Sequence, residues 1–316
     1  MARVVCLGNV VRDLVFKVPS IPAVPEKLTC TDMRTQFGGI AATAAAAIVA
    51  LGGDAEFWGR VGDDEVGAEA AAALRRCGVR PVLQIKSGTR SPQSAVIVDA
   101  RGERMLAAFP GVLERTPDWL PVDSLAGSGA VLADIRWTEG ARALFVAARA
   151  RGIPSVLDAD SGDSGAIHEL VDLSDHVIFS ERGLAEYRNG VEREKALLQV
   201  GSARDGVVGV TLGAAGSLFC FRGRLHRFDG LPVRVVDTNG AGDVFHGAYA
   251  LALARAHDWL CAVRYAGAAA SLKCMRPHDW VHLPRHTEVL EFMLAFNADK
   301  GVLDSGSKEG FAGEAV

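Results

Sequence analysis

Ala130-Val131-Leu132-Ala133, Pro154-Ser155-Val156-Leu157, His176-Val177-Ile178-Phe179 and Val207-Val208-Gly209-Val210-Thr211 are four short apolar runs in regular succession. An Ala- and Arg-rich stretch suited to a helix follows the first, a helical stretch near Ile167 to Leu173 follows the second, and a further helical segment precedes the last. Continuous apolar strands separated by helices predict βαβ units, hence a parallel sheet with helices on both faces. The residues just past these strands are polar or small: Asp134 and Arg136, Asp158 and Asp160, Ser180 and Glu181, Thr211 and Gly213. Open α/β sheets bind ligands beyond the carboxyl ends of their strands, so these four ends point to one crevice.

Outward from this core the pattern changes. Leu14 to Phe37 and Ser91 to Phe109 read as strands with turns. Pro19, Pro22 and Pro25 punctuate the first, and Asp99-Ala100-Arg101-Gly102 forms a hairpin turn in the second. Hairpins at about 14–37 and 91–110 would build a small side sheet, acting as a lid or a dimer surface; ordinary edge hairpins of the main sheet give the same pattern. Ala41 to Leu51 and Ala68 to Leu74 are Ala-rich, as expected of helices packed closely on a sheet. Residues 1–297 then form one domain, and the Gly-, Ser- and acid-rich stretch 298–316 a flexible tail.

A chain of 316 residues buries a large core, and its 49% apolar and 23% charged residues are ordinary for a globular protein. The net charge of −4 gives no basic footprint for nucleic acid. The six cysteines form no C-x-x-C pair and no zinc spacing with histidine, which predicts reduced thiols in a cytoplasmic protein. Val4-Val5-Cys6-Leu7 is too short for a signal sequence or a membrane span.

The strongest chemical signal is Gly240-Ala241-Gly242-Asp243, followed by Val244, Ala248 and Leu251 at helical spacing, which predicts a helix starting near Gly242. Small residues there leave backbone N–H groups uncovered at the positive end of the helix, an arrangement that binds phosphate oxygens. Asp243 beside them reads either as a base that deprotonates an attacking hydroxyl or as a helix cap.

Two further segments decide between these. Phe37-Gly38-Gly39-Ile40-Ala41-Ala42-Thr43, then Leu51-Gly52, then Gly59-Arg60-Val61-Gly62-Asp63-Asp64-Glu65-Val66-Gly67 resemble the first signature of the ribokinase/phosphofructokinase-B carbohydrate kinases. Asp237-Thr238-Asn239-Gly240-Ala241-Gly242-Asp243 resembles the second, and the similarity runs from about Val4 to Pro284. No G-x-x-x-x-G-K-[ST] loop is present.

The resemblance implies a ribokinase-like fold, a doubly wound and mainly parallel α/β sheet with a small β lid, and an ATP-dependent kinase acting on a sugar. Asp243 would be the base, with the amides of Gly240, Ala241 and Gly242 as the anion hole. Asp13, Gly38, Gly39 and Thr43 would meet the sugar; Ser180, Thr211, Gly213, Gly216, Gly242 and Gly267 would border the nucleotide. Glu181 would serve Mg²⁺, and Asp237 and Thr238 sit where relatives often hold a monovalent cation such as K⁺. A homodimer through the lid is likewise what the resemblance implies. Thr43 stands where many members have Asn, Ser180-Glu181-Arg182-Gly183 replaces an Asn-x-x-Glu pattern, and Gly267 stands where an Asn often lines the nucleotide site.

Within the family the chain is most similar to bacterial 6-deoxy-6-sulfofructose kinases. Leu132-Ala133-Asp134-Ile135-Arg136-Trp137, Phe179-Ser180-Glu181 and Leu272-Lys273-Cys274-Met275-Arg276-Pro277 carry that likeness. A sulfonate needs a guanidinium or ammonium, for which Arg136 and Lys27 are the candidates; the alternative for Arg136 is a salt bridge to Asp134 or Asp158. Ala108 stands where those kinases carry an amide side chain, a loss that would either weaken sulfonate recognition or mark another substrate, such as a neutral ketose or a sugar phosphate. His246 and His278 read as structural. The leading expectation is therefore transfer of the γ-phosphoryl group of ATP to a primary hydroxyl of a ketose, sulfofructose or a close anionic analogue. The alternatives are a fructokinase, ketohexokinase or phosphofructokinase-like enzyme on a non-sulfonated sugar, and a non-catalytic sugar or nucleotide sensor.

Overall fold

The computed structural model describes residues 1–162 and 164–299, so the expected flexible tail lies, from residue 300 onward, outside the described residues. Strand β1 (Arg3–Gly8) runs through the middle of the molecule and is buried on both faces: Val4 and Cys6 join one core, Val5 and Leu7 the other. This two-sided burial is why its sequence is a continuous apolar run.

Beside β1 lie β4 (Asp54–Gly62) on one flank and β8 (Ala130–Asp134) on the other, both parallel to it. The full sheet has nine strands, ordered β13-β12-β11-β10-β9-β8-β1-β4-β5, completed by β5 (Arg80–Lys86), β9 (Ser155–Ala159), β10 (His176–Ser180), β11 (Val207–Thr211), β12 (Ser217–Phe221) and β13 (Arg224–Phe228). At one edge β12 pairs antiparallel with β11, and β13 antiparallel with β12. The chain leaves β1 in opposite directions toward β4 and β8, which makes the β1/β8 boundary the switch point where such sheets open a crevice.

One face is covered by α1 (Ile40–Ala50), α7 (Ala241–Ala254) and α8 (Trp259–Cys274), the other by α3 (Thr138–Arg149), α4 (Ser164–Val171), α5 (Glu181–Tyr187) and α6 (Arg193–Ser202). Between β4 and β5 lies α2 (Glu65–Arg76), and α9 (His286–Asp299) packs on α8. The Ala-rich α1 is a close-packing device. A Cβ placed on Gly247 of α7 would come within 2.6 Å of the Ala44 carbonyl oxygen, so the two helices approach backbone to backbone. That contact brings the Gly38-Gly39 and Gly240-Asp243 segments together. No described helix is long and apolar enough to cross a membrane.

The two hairpins form a separate four-stranded sheet, not an edge of the main one. Its order is β3-β2-β6-β7, from β2 (Val11–Lys17), β3 (Asp32–Gly38), β6 (Gln93–Val98) and β7 (Arg104–Phe109). Each hairpin is antiparallel, and the two join through parallel pairing of β2 with β6. The Asp63-Asp64 pair of the first motif staples the base of this lid. Asp64 caps α2 by accepting from the Gly67 amide at 2.9 Å and accepts from the Ser91 hydroxyl at 2.5 Å, while Asp63 accepts from Ser87 and Gly88.

Candidate active site

Helix α7 begins at Ala241, one residue earlier than its small residues alone suggest, because Gly240 takes the left-handed conformation (φ 74°) and ends the preceding loop. Gly240 is constrained twice over: an added Cβ would also lie 2.7 Å from Cε1 of the buried His278. No side chain caps this helix, so the capping alternative for Asp243 has no bond behind it. The Ala241 amide turns back to the Thr238 carbonyl at 3.2 Å. Gly242 is exposed, with open space where a Cβ would lie, and no carbonyl or side chain accepts from its amide among the described residues. The helix N-terminus therefore presents an uncovered, electropositive notch next to Asp243.

Asp243 stands among three other carboxylates gathered at the strand ends. Burial pushes its carboxyl well above the usual range; Asp158, Asp160 and Asp134 push the same way, and only His246 opposes them. Asp134, fully buried at the end of β8, is drawn up to about 6, chiefly by burial. It accepts from the amides of Ala41 (3.2 Å) and Arg136 (2.8 Å), which ties the start of α1 to the central sheet. Gly8 leaves the room: a Cβ on it would sit 2.3 Å from Asp134 Oδ2. Asp158 is held by His246, whose Nδ1 lies 2.9 Å from Asp158 Oδ2 and 2.7 Å from the Gly242 carbonyl, and whose Nε2 faces the Ile178 carbonyl at 3.1 Å. Burial disfavours the charged imidazole, but Asp158 and the two carbonyls outweigh it and raise His246 to about 9.

On the lid side, Asp13 accepts from the Ser94 hydroxyl at 2.5 Å across the β2–β6 pair, and burial raises its carboxyl. Gly38 is needed beside it, since a Cβ would fall 2.7 Å from Asp13 Oδ2. Gly39 has φ 102°, and a Cβ there would strike the Asn9 carbonyl at 2.2 Å. Thr43 is buried in α1, and its hydroxyl accepts from Trp280 Nε1 at 3.1 Å. Arg136 is exposed. Its guanidinium pairs with Asp160 at 3.1 Å, whereas the expected alternative was Asp134 or Asp158. Lys27 is exposed between β2 and β3, outside this cluster of strand ends.

Along the other rim, Gly213 (φ 55°) and Gly267 both face open space, and Gly216 (φ 87°) is locked against the Phe228 carbonyl. Thr211 Oγ1 donates weakly to the Phe179 carbonyl at 3.4 Å, and Ser180 spends its hydroxyl capping α5 through the Gly183 amide at 2.9 Å. Glu181 is exposed and pairs with Arg193 of α6.

Asp237 and Thr238 were expected around a monovalent cation, and here the residues do not fit one. Asp237 Oδ1 accepts from Arg104 (2.8 Å) and the Asn239 amide (2.9 Å), and Oδ2 accepts from the His278 amide (3.3 Å). The Asp237 main-chain oxygen accepts from the buried Lys273 ammonium at 2.8 Å. Burial would raise the Asp237 carboxyl, but the Asn239 amide, Lys273 and Arg104 hold it below the usual range. A second cation about 4 Å from such an ammonium would face roughly 4 kcal/mol of repulsion at an effective dielectric constant near 20.

The family model for pfkB family carbohydrate kinases matches residues 1–280. The chain belongs to that family. It is a carbohydrate kinase, a phosphotransferase that acts on a sugar hydroxyl. Among its relatives are a fructokinase of Vibrio alginolyticus, 28% identical over 81% of this chain and 91% of the relative, and a ribokinase of Haemophilus influenzae, 26% identical over 91% and 97%. A crystal structure from Agrobacterium tumefaciens superposes with a TM-score of 0.88 at 33% identity, covering 94% of this chain and 99% of that one. Arabidopsis thaliana ribokinase complexed with ribose and ATP superposes with a TM-score of 0.80 at 25% identity, covering 92% and 98%.

Sequence reading of this kinase missed several residues that the structure brings to the site. His246 carries a second job, pinning the first turn of α7 through Gly242. Arg60 is buried, stacks over Trp137 at 4.1 Å and donates to Asn9 at 3.1 Å, beside the loop that Gly39 abuts. Trp280, Arg104 and Lys273 reach the site from distant parts of the chain. Lys273 and Arg104 stood in stretches that carry the family likeness, but nothing in the sequence linked either to Asp237, and Trp280 had no signal beyond its apolar character.

Proposed function

We propose that the chain transfers the γ-phosphoryl group of ATP to a primary hydroxyl of a ketose, with Asp243 as the base. The observation that carries this reading is a carboxylate of raised proton affinity one residue past the uncovered Gly242 amide at a helix N-terminus. The hydroxyl oxygen forms the new P–O bond, the bond from the γ-phosphorus to the β-phosphate oxygen breaks, ADP leaves, and the hydroxyl proton passes to Asp243. Raised affinity makes Asp243 a stronger proton acceptor than an ordinary carboxylate. The free first-turn amides of α7, Gly242's among them, stabilise charge on the transferring group, whereas the Ala241 amide is already given to the Thr238 carbonyl.

The chain's resemblance to a ribokinase solved with ribose and ATP supports the choice of nucleotide. Thr211, Gly213, Gly216 and Gly267 would border it, and Asp13, Gly38, Gly39 and Thr43 the sugar. Mg²⁺, bound with the nucleotide, neutralises phosphate charge; it needs only one or two carboxylates because it keeps several waters. Either carboxylate would have to release an arginine, Asp160 its Arg136 and Glu181 its Arg193. Asp160 is the half-buried one and lies close enough to Asp243 to raise its proton affinity, whereas Glu181 is exposed.

A neutral ketose such as fructose is the favoured acceptor, because the side chain at Ala108 has no donor and Arg136 already has Asp160 as partner. Sulfofructose is the second reading. It is favoured by the Arg136 guanidinium, 39% exposed beyond the strand ends and able to exchange Asp160 for a sulfonate. The expected partner copy would cover Met33, Met105 and Phe109, exposed on one face of the lid.

The test is ATP consumption over fructose, fructose 6-phosphate, ribose and sulfofructose, repeated with Asp243→Asn. The expected result is loss of kcat by about 10³-fold or more with nucleotide affinity retained, within the range that a positioned base plus its electrostatic setting supplies. An Asp243→Asn enzyme of undiminished kcat would overturn the mechanism, and ATP consumption on none of the sugars would overturn the substrate class.

A further inference from the structure

The loop leading into the catalytic helix is clamped by two cations from the chain itself. Lys273, near the end of α8, is 1% exposed, and its ammonium donates to the Asp237 main-chain oxygen at 2.8 Å. Arg104, at the start of lid strand β7, donates to Asp237 Oδ1 at 2.8 Å. The neighbouring turn is fastened to the same helix end, since the amides of Val236 (2.8 Å) and Asp237 (3.1 Å) both donate to the Cys274 carbonyl. The His278 amide reaches Asp237 Oδ2, and the His278 ring packs on Gly240. Asp237 thus has an acidic oxygen and a carbonyl oxygen satisfied by fixed positive charge, just ahead of the anion notch in the chain.

We propose that Lys273, with Arg104, takes the place of a monovalent cation in this kinase, so that the shape of the Asp237–Gly242 loop and turnover do not depend on potassium. Lys273 is a positioning residue: it touches Asp237 and acts on the notch through the loop. A buried ammonium on a main-chain carbonyl does what a bound alkali ion would do there, fixing the carbonyl's direction and supplying positive charge near the phosphate site, but it cannot dissociate. Arg104 adds a consequence that a free ion lacks. Because it comes from the lid, its bond to Asp237 couples the lid's position to the catalytic loop.

This inference rests on the kinase reading only for its activity arm. The first measurement needs no substrate: thermal melting of the full chain at constant ionic strength in potassium, ammonium, sodium or choline chloride. The expected result is one melting temperature in all four salts, and a rise confined to potassium and ammonium overturns the proposal. The second is kcat/KM in the same salts, expected to agree within about twofold, the kinetic equivalent of roughly 0.4 kcal/mol. Activation of tenfold or more by potassium overturns it.

The third is Lys273→Met, which nearly keeps the length of the side chain and removes the charge. In choline chloride its kcat should fall, with recovery in potassium or ammonium and none in added choline. Undiminished kcat in choline chloride overturns the proposal. So does a loss that no ion relieves in a variant whose melting is cooperative. Should the variant not fold, the two wild-type measurements still decide the question.

Discussion

Asp158 and Asp243 lie in the same crowded set of carboxylates, yet the structure treats them in opposite ways. Asp158 receives an imidazole with both nitrogens hydrogen-bonded, and Asp243 is left to the anion notch. A histidine raised to about 9 in the folded state, from an ordinary value of 6.5, binds its proton more tightly folded than unfolded. Its contribution to stability is therefore complete below pH 6.5 and is lost as pH rises through about 9. The size is on the order of 3 kcal/mol. The melting temperature should accordingly fall between pH 6.5 and about 9 by several degrees more in the wild type than in His246→Gln. Parallel curves for the two proteins would show that the imidazole is neutral. The placement of Asp243 was legible in the sequence because Gly-Ala-Gly sets it at a helix start. The role of His246 was not, because Asp158 and Ile178 approach it from strands β9 and β10, far away along the chain.

At the scale of elements, the site is made by two glycine-marked helix starts brought side by side. The β1–α1 region and the α7 start meet because Ala44 and Gly247 allow close helix packing and because Asp134 binds the Ala41 amide. Gly39 is the tightest point of this assembly, with a left-handed φ of 102° and no room toward the Asn9 carbonyl. Gly39→Ala should cost about 1–3 kcal/mol from backbone strain alone, more with the clash, and lower the melting temperature by several degrees. It should also raise KM for the sugar with a smaller change in KM for the nucleotide, since Gly39 adjoins Gly38 and Asp13 and lies away from the Gly213 rim. Equal effects on the two substrates would remove Gly39 from the sugar side. The strands and most helices were readable from their apolar runs. The pairing of the two hairpins into a separate sheet was not, because alternation fixes which side chains share a face and leaves the partner strand open.

Across the whole molecule, the lid is a sheet without a core of its own. Strand β7 is exposed along its length, and the inner face turns Arg34, Gln36, Val96 and Arg104 toward a cavity of about 420 Å³ that also touches Asp237, Asn239 and Pro277. Arg34 Nε and Gln36 Oε1 are buried there without a hydrogen-bond partner, a costly arrangement that a polyhydroxylated ligand would relieve. Small sheets with so little apolar burial open easily, so their backbone hydrogen bonds exchange readily unless something spans the gap. The sugar is the substrate expected to span it, by meeting Asp13 on the lid and Asp243 on the main body at once, whereas the proposed nucleotide contacts, Thr211, Gly213, Gly216 and Gly267, would all lie on the main body. Hydrogen exchange should therefore slow in residues 11–17, 32–38, 93–98 and 104–109 when sugar binds and change little with nucleotide alone. Slowing by nucleotide alone would mean that the lid responds through Arg104 and the Asp237 loop. Unchanged exchange at saturating sugar would mean that the two sheets already sit in their working arrangement.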